Sequence, residues 1–441
     1  ASGQSSSAIA LTEGGTKTIT VVVTAQDGTT TKSYTIAVTR AASTNALLSG
    51  LGISAGTLGP GFAGTTTAYT ASVANGVASM KVTPTAGHAD ATIKVNGVSV
   101  TSGQASGSIS LVEGGDTTIS AVVTAQDGST TKTYQIVVSR AKSAIATLSS
   151  LETTGTLSAA FSESSLSYSM SVANGVSTVS FTPTSTSDKA TITVNNGTVT
   201  AAVTSGVAWE LTTVEGGSAT ATFVVMAQDG VTQKTYTVAV ARAASTVSTL
   251  SGLVTSSGTL SPTFVAGTLT YSLAIANSVA SVRFTPTATH GGAALTVNSV
   301  AVASGQASGL LVVAEGATMN VPVVVTAQDG VSKTTYTVAV SRASSDNALL
   351  GSLSVSGGTL SPAFSASSLS YTMAVINSVS STVVGITTAH GGASCKVNGT
   401  SVASGQSSSA IALTEGGTKT ITVVVTAQDG TTTKSYTIAV T

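Results

Sequence analysis

Residues 16–40 read TKTITVVVTAQDGTTTKSYTIAVTR, and this stretch predicts a β-hairpin. Polar and apolar residues alternate on both sides of Asp27-Gly28. An Asp-Gly pair between two alternating runs is a strong short-range hairpin signal, because both central residues of a type I′ turn need a positive φ. We therefore predict strands over 18–26 and 29–39, joined by a type I′ turn at Asp27-Gly28.

The same stretch recurs along the chain. Ala1–Thr39 is repeated without change as Ala403–Thr441, which begins 402 residues later, and the pattern appears three more times in between with many substitutions. Each of the first four copies ends on an arginine. We infer a tandem array of one partial repeat followed by four further repeats of roughly 100 residues each. We name them the partial repeat (1–40), repeat I (41–140), repeat II (141–242), repeat III (243–342) and repeat IV (343–441).

Strand periodicity assigns an inner face to each hairpin. Because side chains alternate across a strand, Tyr34, Ile36 and Val38 share one side, which we predict to face a core. Other short alternating segments, separated by Gly- and Asn-containing turns, give about seven strands in each complete repeat. This spacing predicts a two-sheet antiparallel β-sandwich. A lone hairpin is marginal in water, so we expect that the partial repeat needs a partner over its inner face.

The repeated string G-T-L, then Phe, Tyr, V-N-G, E-G-G and V-V-T-A-Q-D-G-x-x-x-K-x-Y-x-[IV]-x-V-x-R resembles the bacterial cadherin-like β-sandwich domain, an immunoglobulin-like module. The resemblance covers the whole chain. It implies an all-β tandem array and a structural or adhesive role in large exported bacterial proteins, with no shared catalytic residues. True cadherins bind calcium through acidic clusters at their junctions, and the junction at 40–45 has almost no acidic residues.

Composition argues against several functions. Charged residues make up 8% of the chain, and 17 basic residues balance 17 acidic ones, so no basic stripe for nucleic acid is predicted. No apolar run approaches the 18 or more residues of a membrane helix, so we predict no membrane span. The chain begins within a repeat and without Met, which leads us to expect a piece of a longer exported protein.

The three histidines do not predict a metal site within the chain. His88, His290 and His390 occupy the same loop of three repeats, and Asp188 takes that place in repeat II. We expect surface-loop residues, because one such residue per repeat cannot converge on one metal ion; metal bridging between chains is the lesser alternative. Cys395 replaces core-strand residues of the other repeats and should be buried and inert. We predict no catalytic residues, no cofactor and no metal site.

Two further residue types have a structural and a functional interpretation. Trp209, at the start of a strand, should pack locally, and the alternative is a contact with a glycan. The lysines before each hairpin tyrosine could form isopeptide bonds. We expect them to point outward, opposite the tyrosine, which disfavours such a buried cross-link. They are Lys32, Lys132, Lys234 and Lys434.

The long strand of each hairpin is apolar on both sides. Its outward position is a valine in most copies, in a protein with few charges to keep molecules apart. Apolar, charge-poor faces often mark contact surfaces, although valine also simply suits strands. The predicted self-association face consists of Val22, Val224, Val324 and Val424.

Three functions remain open at the level of the sequence. The first is a structural repeat region of an extracellular fibre or stalk that associates with itself into filaments. The second is a spacer or binding region of a cell-surface adhesin, with a polysaccharide or protein ligand. The third is an accessory array of an exported enzyme. Short junctions around Arg-Ala-x-Ser predict stiff coupling between neighbouring repeats.

Overall fold

The structure is a computed structural model that describes residues 2–441, and all of the regular structure in that range is β-strand. Residues 2–441 contain no helix long and apolar enough to cross a membrane. The chain divides into two compact units. The first comprises residues 1–172, 176–214 and 218–241, and the second comprises residues 173–175, 215–217 and 242–441.

The partial repeat forms one antiparallel hairpin of β1 (Thr16–Thr24) and β2 (Thr31–Thr39). Its register pairs Val21 with Tyr34 and Thr24 with Thr31. β-Branched residues dominate both strands, as extended backbone favours.

Repeat I is a β-sandwich. One sheet has five strands in the order β4-β11-β10-β7-β8, and the pairs β3-β6 and β5-β9 form the opposite layer. The pairing of β4 with β11 is parallel, whereas the other pairs are antiparallel. The strands are β3 (Leu48–Ile53), β4 (Ala68–Val73), β5 (Ser79–Met80), β6 (Val82–Ala86), β7 (Thr92–Val95), β8 (Val98–Val100), β9 (Ile109–Ser110), β10 (Asp116–Thr124) and β11 (Thr131–Arg140).

Repeat II has the same plan, with a five-stranded sheet β13-β19-β18-β15-β16 and a continuous three-stranded sheet β12-β14-β17. Its strands are β12 (Leu148–Thr153), β13 (Ser167–Val172), β14 (Thr178–Ser185), β15 (Thr191–Asn195), β16 (Thr200–Val203), β17 (Trp209–Thr212), β18 (Ser218–Met226) and β19 (Gln233–Arg242).

Repeat III adds a sixth strand to the larger sheet, in the order β21-β22-β29-β28-β25-β26. The pairs β20-β24 and β23-β27 form its other layer. Its strands are β20 (Leu250–Thr255), β21 (Leu260–Ser261), β22 (Thr270–Ile275), β23 (Ser281–Val282), β24 (Phe284–Ala288), β25 (Ala294–Val297), β26 (Val300–Val302), β27 (Leu311–Val312), β28 (Thr318–Thr326) and β29 (Lys333–Arg342).

Repeat IV matches repeat III, with the six-stranded order β31-β32-β39-β38-β35-β36. Its strands are β30 (Leu350–Val355), β31 (Gly358–Ser361), β32 (Ser370–Val375), β33 (Ser381–Thr382), β34 (Val384–Thr388), β35 (Ser394–Val397), β36 (Thr400–Val402), β37 (Ile411–Ala412), β38 (Lys419–Thr426) and β39 (Thr433–Val440). The predicted all-β array of antiparallel sandwiches is confirmed. A parallel strand pair, which was not predicted, occurs in each of repeats I, III and IV.

The core of each complete repeat lies between its two sheets, around the hairpin tyrosine. In repeat I, Tyr134, Ile136 and Val138 are fully buried, as the strand periodicity predicts. The Tyr134 hydroxyl accepts a hydrogen bond from the Leu48 N–H (2.9 Å) and donates one to the Gly64 carbonyl (2.7 Å). The hydroxyl therefore joins the end of one sheet to a loop of the other and satisfies buried backbone groups. Tyr236, Tyr336 and Tyr436 make the equivalent pair of bonds.

The prediction of a type I′ turn at Asp-Gly is wrong. Gly28 has a φ of 72°, but Asp27 is not among the residues with positive φ, and the loop extends from Ala25 to Thr30. The Asp27 carboxylate accepts hydrogen bonds from the backbone of Thr29 and Thr30, which stabilises this longer loop. The two-residue turn with two positive φ values occurs instead at Asn96-Gly97, between β7 and β8.

Candidate functional site: the junctions and the outer sheet face

An asparagine, a glutamate and an arginine form a polar cluster at one end of repeats I, II and III. Repeat IV retains the bond from Asn377 to Glu415. In repeat I the Asn75 side-chain amide donates to Glu113 Oε1 (3.0 Å) and to the Ala141 carbonyl (3.0 Å). Arg140 Nε donates to the Asn75 carbonyl (2.7 Å). The glutamate of the Glu-Gly-Gly turn is thereby positioned beside the segment that leads into the next repeat.

A glutamine from the following repeat closes the junction. The Ser43 N–H donates to Gln126 Oε1 (2.9 Å), and Gln126 Nε2 donates to the Glu13 carbonyl (3.2 Å). Gln126 lies within the hairpin loop of repeat I, between Ala125 and Asp127, so this loop also forms a contact surface. Sequence reasoning assigned that loop to turn geometry alone. The equivalent Ser N–H to Gln Oε1 bonds, at 2.9–3.0 Å, join Ser143 to Gln228, Ser245 to Gln328 and Ser345 to Gln428.

The three histidines contact the glutamates of these junctions. The distances are 3.5 Å from His88 Nε2 to Glu13 Oε2, 3.2 Å from His290 Nε2 to Glu215 Oε1 and 2.8 Å from His390 Nε2 to Glu315 Oε2. The histidine side chains are only 20–24% exposed. They lie in loops, as predicted, but pairing with a residue about 75 positions away covers them.

Two of these carboxylates, Glu215 and Glu315, have a pKa below the ordinary value. The pKa of Glu315 is lowered first by the hydrogen bond with His390, and burial partly opposes that shift. For Glu215 the hydrogen bond from Asn174 is the largest cause of the lowered pKa, and the bond with His290 follows it.

Repeat II lacks the histidine. Asp188 takes its place and pairs with the adjacent Lys189, at 3.1 Å between Oδ2 and Nζ. The polar cluster of Glu113 therefore meets no histidine, although the bond from Ser143 to Gln228 is retained. Within residues 2–441 no three His, Cys, Asp or Glu side chains are grouped closely enough to hold a metal ion.

The predicted self-association face lies on the outside of the larger sheets. Val224, Val324 and Val424 are partly exposed, whereas the two residues that flank each of them along the strand are fully buried. Val22 is 57% exposed. The alternation of side chains along a strand predicted that these valines point outward, and Val224, Val324 and Val424 do so.

The cross-strand neighbours of these valines are mostly small and polar, and the exception is Lys396 beside Val424. Val324 stands between Thr296 and Thr335, and Val224 between Thr193 and Thr235, in the sheet register. In repeat II a groove of about 810 Å³ runs beside Val224 over this face. The lining residues are all uncharged, and threonines 193, 198, 200, 212, 220 and 222 make up much of the wall.

The other two candidates from the sequence, Trp209 and Cys395, both pack in or against a hydrophobic core. Trp209 is partly buried at the edge of the repeat II core, where its ring meets Phe223 edge-on at 6.2 Å between centroids. Local packing is therefore observed, and a glycan contact stays a prediction. Cys395 is buried in the core, and burial raises the pKa of its thiol to about 11, which keeps it protonated and unreactive.

The prediction that the strand lysines point away from the tyrosine is wrong. Lys132 Nζ lies 5.9 Å from the Tyr134 ring centroid, and Lys32 and Lys234 lie equally close to their tyrosines. Residues two positions apart on a strand point to the same side. The Lys234 ammonium group also donates a hydrogen bond to the Glu163 carbonyl (2.8 Å).

These repeats match a known domain family. The family model described as the cadherin-like beta sandwich domain matches residues 1–41, 48–141, 148–243, 247–343 and 350–441. The chain therefore belongs to this family. Tandem domains of this kind are typical of extracellular adhesion or structural repeats, are typically non-enzymatic and often mediate homophilic or ligand interactions.

Several solved structures of multidomain ectodomains match this chain with low sequence identity and low TM-scores. The ICAM-5 D1–D4 ectodomain fragment is 12% identical, with a TM-score of 0.30, 84% of this chain covered and 96% of that chain covered. Protocadherin Gamma B7 extracellular cadherin domains 1–4 are 8% identical, with a TM-score of 0.24 and coverages of 74% and 83%. Drosophila N-cadherin EC1-4 is 10% identical, with a TM-score of 0.20 and coverages of 80% and 92%. No curated protein matches the chain.

Proposed function

We propose that this chain is a structural repeat region of a large extracellular fibre or stalk whose copies associate through the outer faces of their larger sheets. The observation that carries the proposal is the recurrence of one outward valine, at Val22, Val224, Val324 and Val424. The cross-strand neighbours of these valines are threonine or serine, except for Lys396 beside Val424. Such a face costs little to desolvate, because it holds few charges.

The junctions support the structural part of the proposal. The bond from the linker serine to the hairpin glutamine recurs four times with nearly the same length. A linker tied to the loop of the following repeat has less freedom than a chain without such bonds. An array built from such junctions would transmit force and orientation along its length, as a stalk requires.

The test changes the outward valines of the larger sheets while each repeat stays folded. A chain with Val22, Val224, Val324 and Val424 changed to lysine places charges where a second copy would pack. The matched control carries Val231→Lys and Val331→Lys, because these valines are 82% and 80% exposed on hairpin loops rather than on the sheet face. Sedimentation velocity and electron microscopy over a concentration series then measure association, and calorimetry verifies folding.

We expect the parent chain and the loop control to form filaments or lateral bundles, and the four-lysine chain to remain monomeric with an unchanged melting profile. Bundles that persist in the four-lysine chain would show that the valines are ordinary strand residues. A parent chain that stays monomeric at every concentration would also contradict self-association.

A further inference from the structure

Two asparagines of the chain stand in the sequence Asn-x-Thr, which is the acceptor sequence for glycosylation of an asparagine side chain. They are Asn196, in Asn-Gly-Thr at 196–198, and Asn398, in Asn-Gly-Thr at 398–400. Both follow the equivalent strand of their repeats, β15 and β35, but the local structures differ. The difference indicates which of the two asparagines can serve as an acceptor.

In repeat II the whole acceptor sequence lies in a loop. β15 ends at Asn195 and β16 begins at Thr200, so residues 196–199 connect the two strands. Residues 197–199 are exposed, and Asn196 is partly exposed. An acceptor segment that lies outside the strands can enter the site of a transferase while the sheet stays intact.

The side chains of Asn196 and Thr198 are hydrogen-bonded to each other. Thr198 Oγ1 donates to Asn196 Oδ1 (2.9 Å), and the N–H groups of Thr198 and Val199 donate to the same oxygen (3.1 and 2.8 Å). Negative charge develops on this oxygen when the amide loses a proton, and donors already in place stabilise that charge. None of the three bonds involves Nδ2, which is the atom that a sugar would join.

The acceptor sequence of repeat IV is held within the sheet instead. Asn398 has a φ of 46° in the tight turn between β35 and β36, and its Oδ1 accepts from the Thr422 N–H of β38 (2.9 Å). Thr400 belongs to β36 and pairs with Val397. A transferase would have to separate these strands to bind the segment, and such local opening of a folded domain costs free energy.

We propose that Asn196 is an N-glycosylation site whose donor is a sugar activated by a phosphate or pyrophosphate group at its anomeric carbon. Nδ2 forms a bond to that carbon, the bond from the carbon to the phosphate oxygen breaks, and the phosphate leaves with the electron pair. One Nδ2 proton passes to a base of the transferase. Asn196 also lines the groove beside Val224, so the attached sugar would stand at the outer face of the larger sheet of repeat II.

The experiment offers the complete folded chain to two transferases, each with its own donor. One arm uses UDP-glucose with a soluble N-glucosyltransferase, and the other uses a polyprenyl-pyrophosphate-linked oligosaccharide with an oligosaccharyltransferase. Each transferase is chosen because it modifies synthetic peptides of residues 190–202 and 392–404 at comparable rates, so both sequences are acceptors outside the fold. Peptide mass spectrometry then measures the modification of each asparagine in the folded chain over time.

We expect one sugar addition per folded chain, at Asn196, with modification of Asn398 at least roughly tenfold slower. Thr198→Ala should abolish the modification of Asn196, and Thr198→Ser, which keeps the hydroxyl, should retain it. Asn398→Gln is the matched control and should leave the modification of Asn196 unchanged. Calorimetry verifies that each variant stays folded. Modification in either arm supports the site, and the arm that succeeds identifies the class of donor.

The proposal is overturned by equal modification of the two asparagines, by modification of Asn398 alone, or by an unmodified folded chain whose two peptides are acceptors. Modification of Asn196 that survives Thr198→Ala would overturn it as well. Because the measurement is a mass change at one side chain, its result is independent of whether copies of the chain associate.

Discussion

Tyr436→Phe isolates the contribution of the hydroxyl that joins the two layers of repeat IV. The substitution keeps the buried ring and removes one oxygen. That oxygen accepts from the Leu350 N–H and donates to the Ala366 carbonyl, both at 3.0 Å. Leu350 is fully buried, so no solvent can replace the lost partner of its N–H. Burial is the main reason that the Tyr436 pKa is raised, so the hydroxyl stays protonated and can donate at neutral pH.

The expected destabilisation follows from these two bonds. Leaving a buried N–H unsatisfied costs about 1–3 kcal/mol, and the second hydrogen bond contributes about 0.5–1.5 kcal/mol. The free energy of unfolding of repeat IV should therefore fall by about 2–4 kcal/mol. For a domain of this size about 1 kcal/mol lowers the melting temperature by roughly 4–8 °C, so its transition should fall by about 10 °C or more.

The partial repeat supplies a matched control for this change. Tyr34 has the same sequence neighbours as Tyr436 but is 53% exposed, so Tyr34→Phe should change stability by less than about 0.5 kcal/mol. Calorimetry of the full chain, with hydrogen exchange at the Leu350 amide, assigns the effect to repeat IV. A shift of under about 2 °C in Tyr436→Phe, or equal shifts in the two variants, would refute the reasoning.

Two further predictions concern the junctions. Gln428→Ala removes the acceptor of the buried Ser345 N–H, so we expect a loss of about 1–3 kcal/mol and faster exchange of that amide, with the exposed Gln26→Ala as a control that changes neither. The Glu315 pKa is lowered in the folded chain, so its contribution is complete above the ordinary carboxyl pKa and is lost as the pH falls through the lowered value. A melting series from neutral to acidic pH should show less acid destabilisation in Glu315→Gln than in the parent chain, and an unchanged slope would contradict this linkage.

Several features of the chain follow from local periodicity and were predictable. The repeat pattern, the all-β class and the inward orientation of Tyr134, Ile136 and Val138 all depend on the two-residue period of a strand. The outward position of Val224 and Val324 follows from the same period. These properties need only a residue and its near neighbours, so the sequence determines them without knowledge of the packing.

The tertiary structure alone decided which distant groups meet. His390 and Glu315 are 75 residues apart, and only the stacking of one repeat end on the next loop brings them within 2.8 Å. The same holds for Gln126 and Ser43, whose contact gives the hairpin loop a second role. The partial repeat makes the limit plain, because Val21 and Val423 have identical sequence neighbours and opposite exposure. The sequence of a strand determines which of its sides is apolar. Whether that side is buried depends on the second sheet that packs against it.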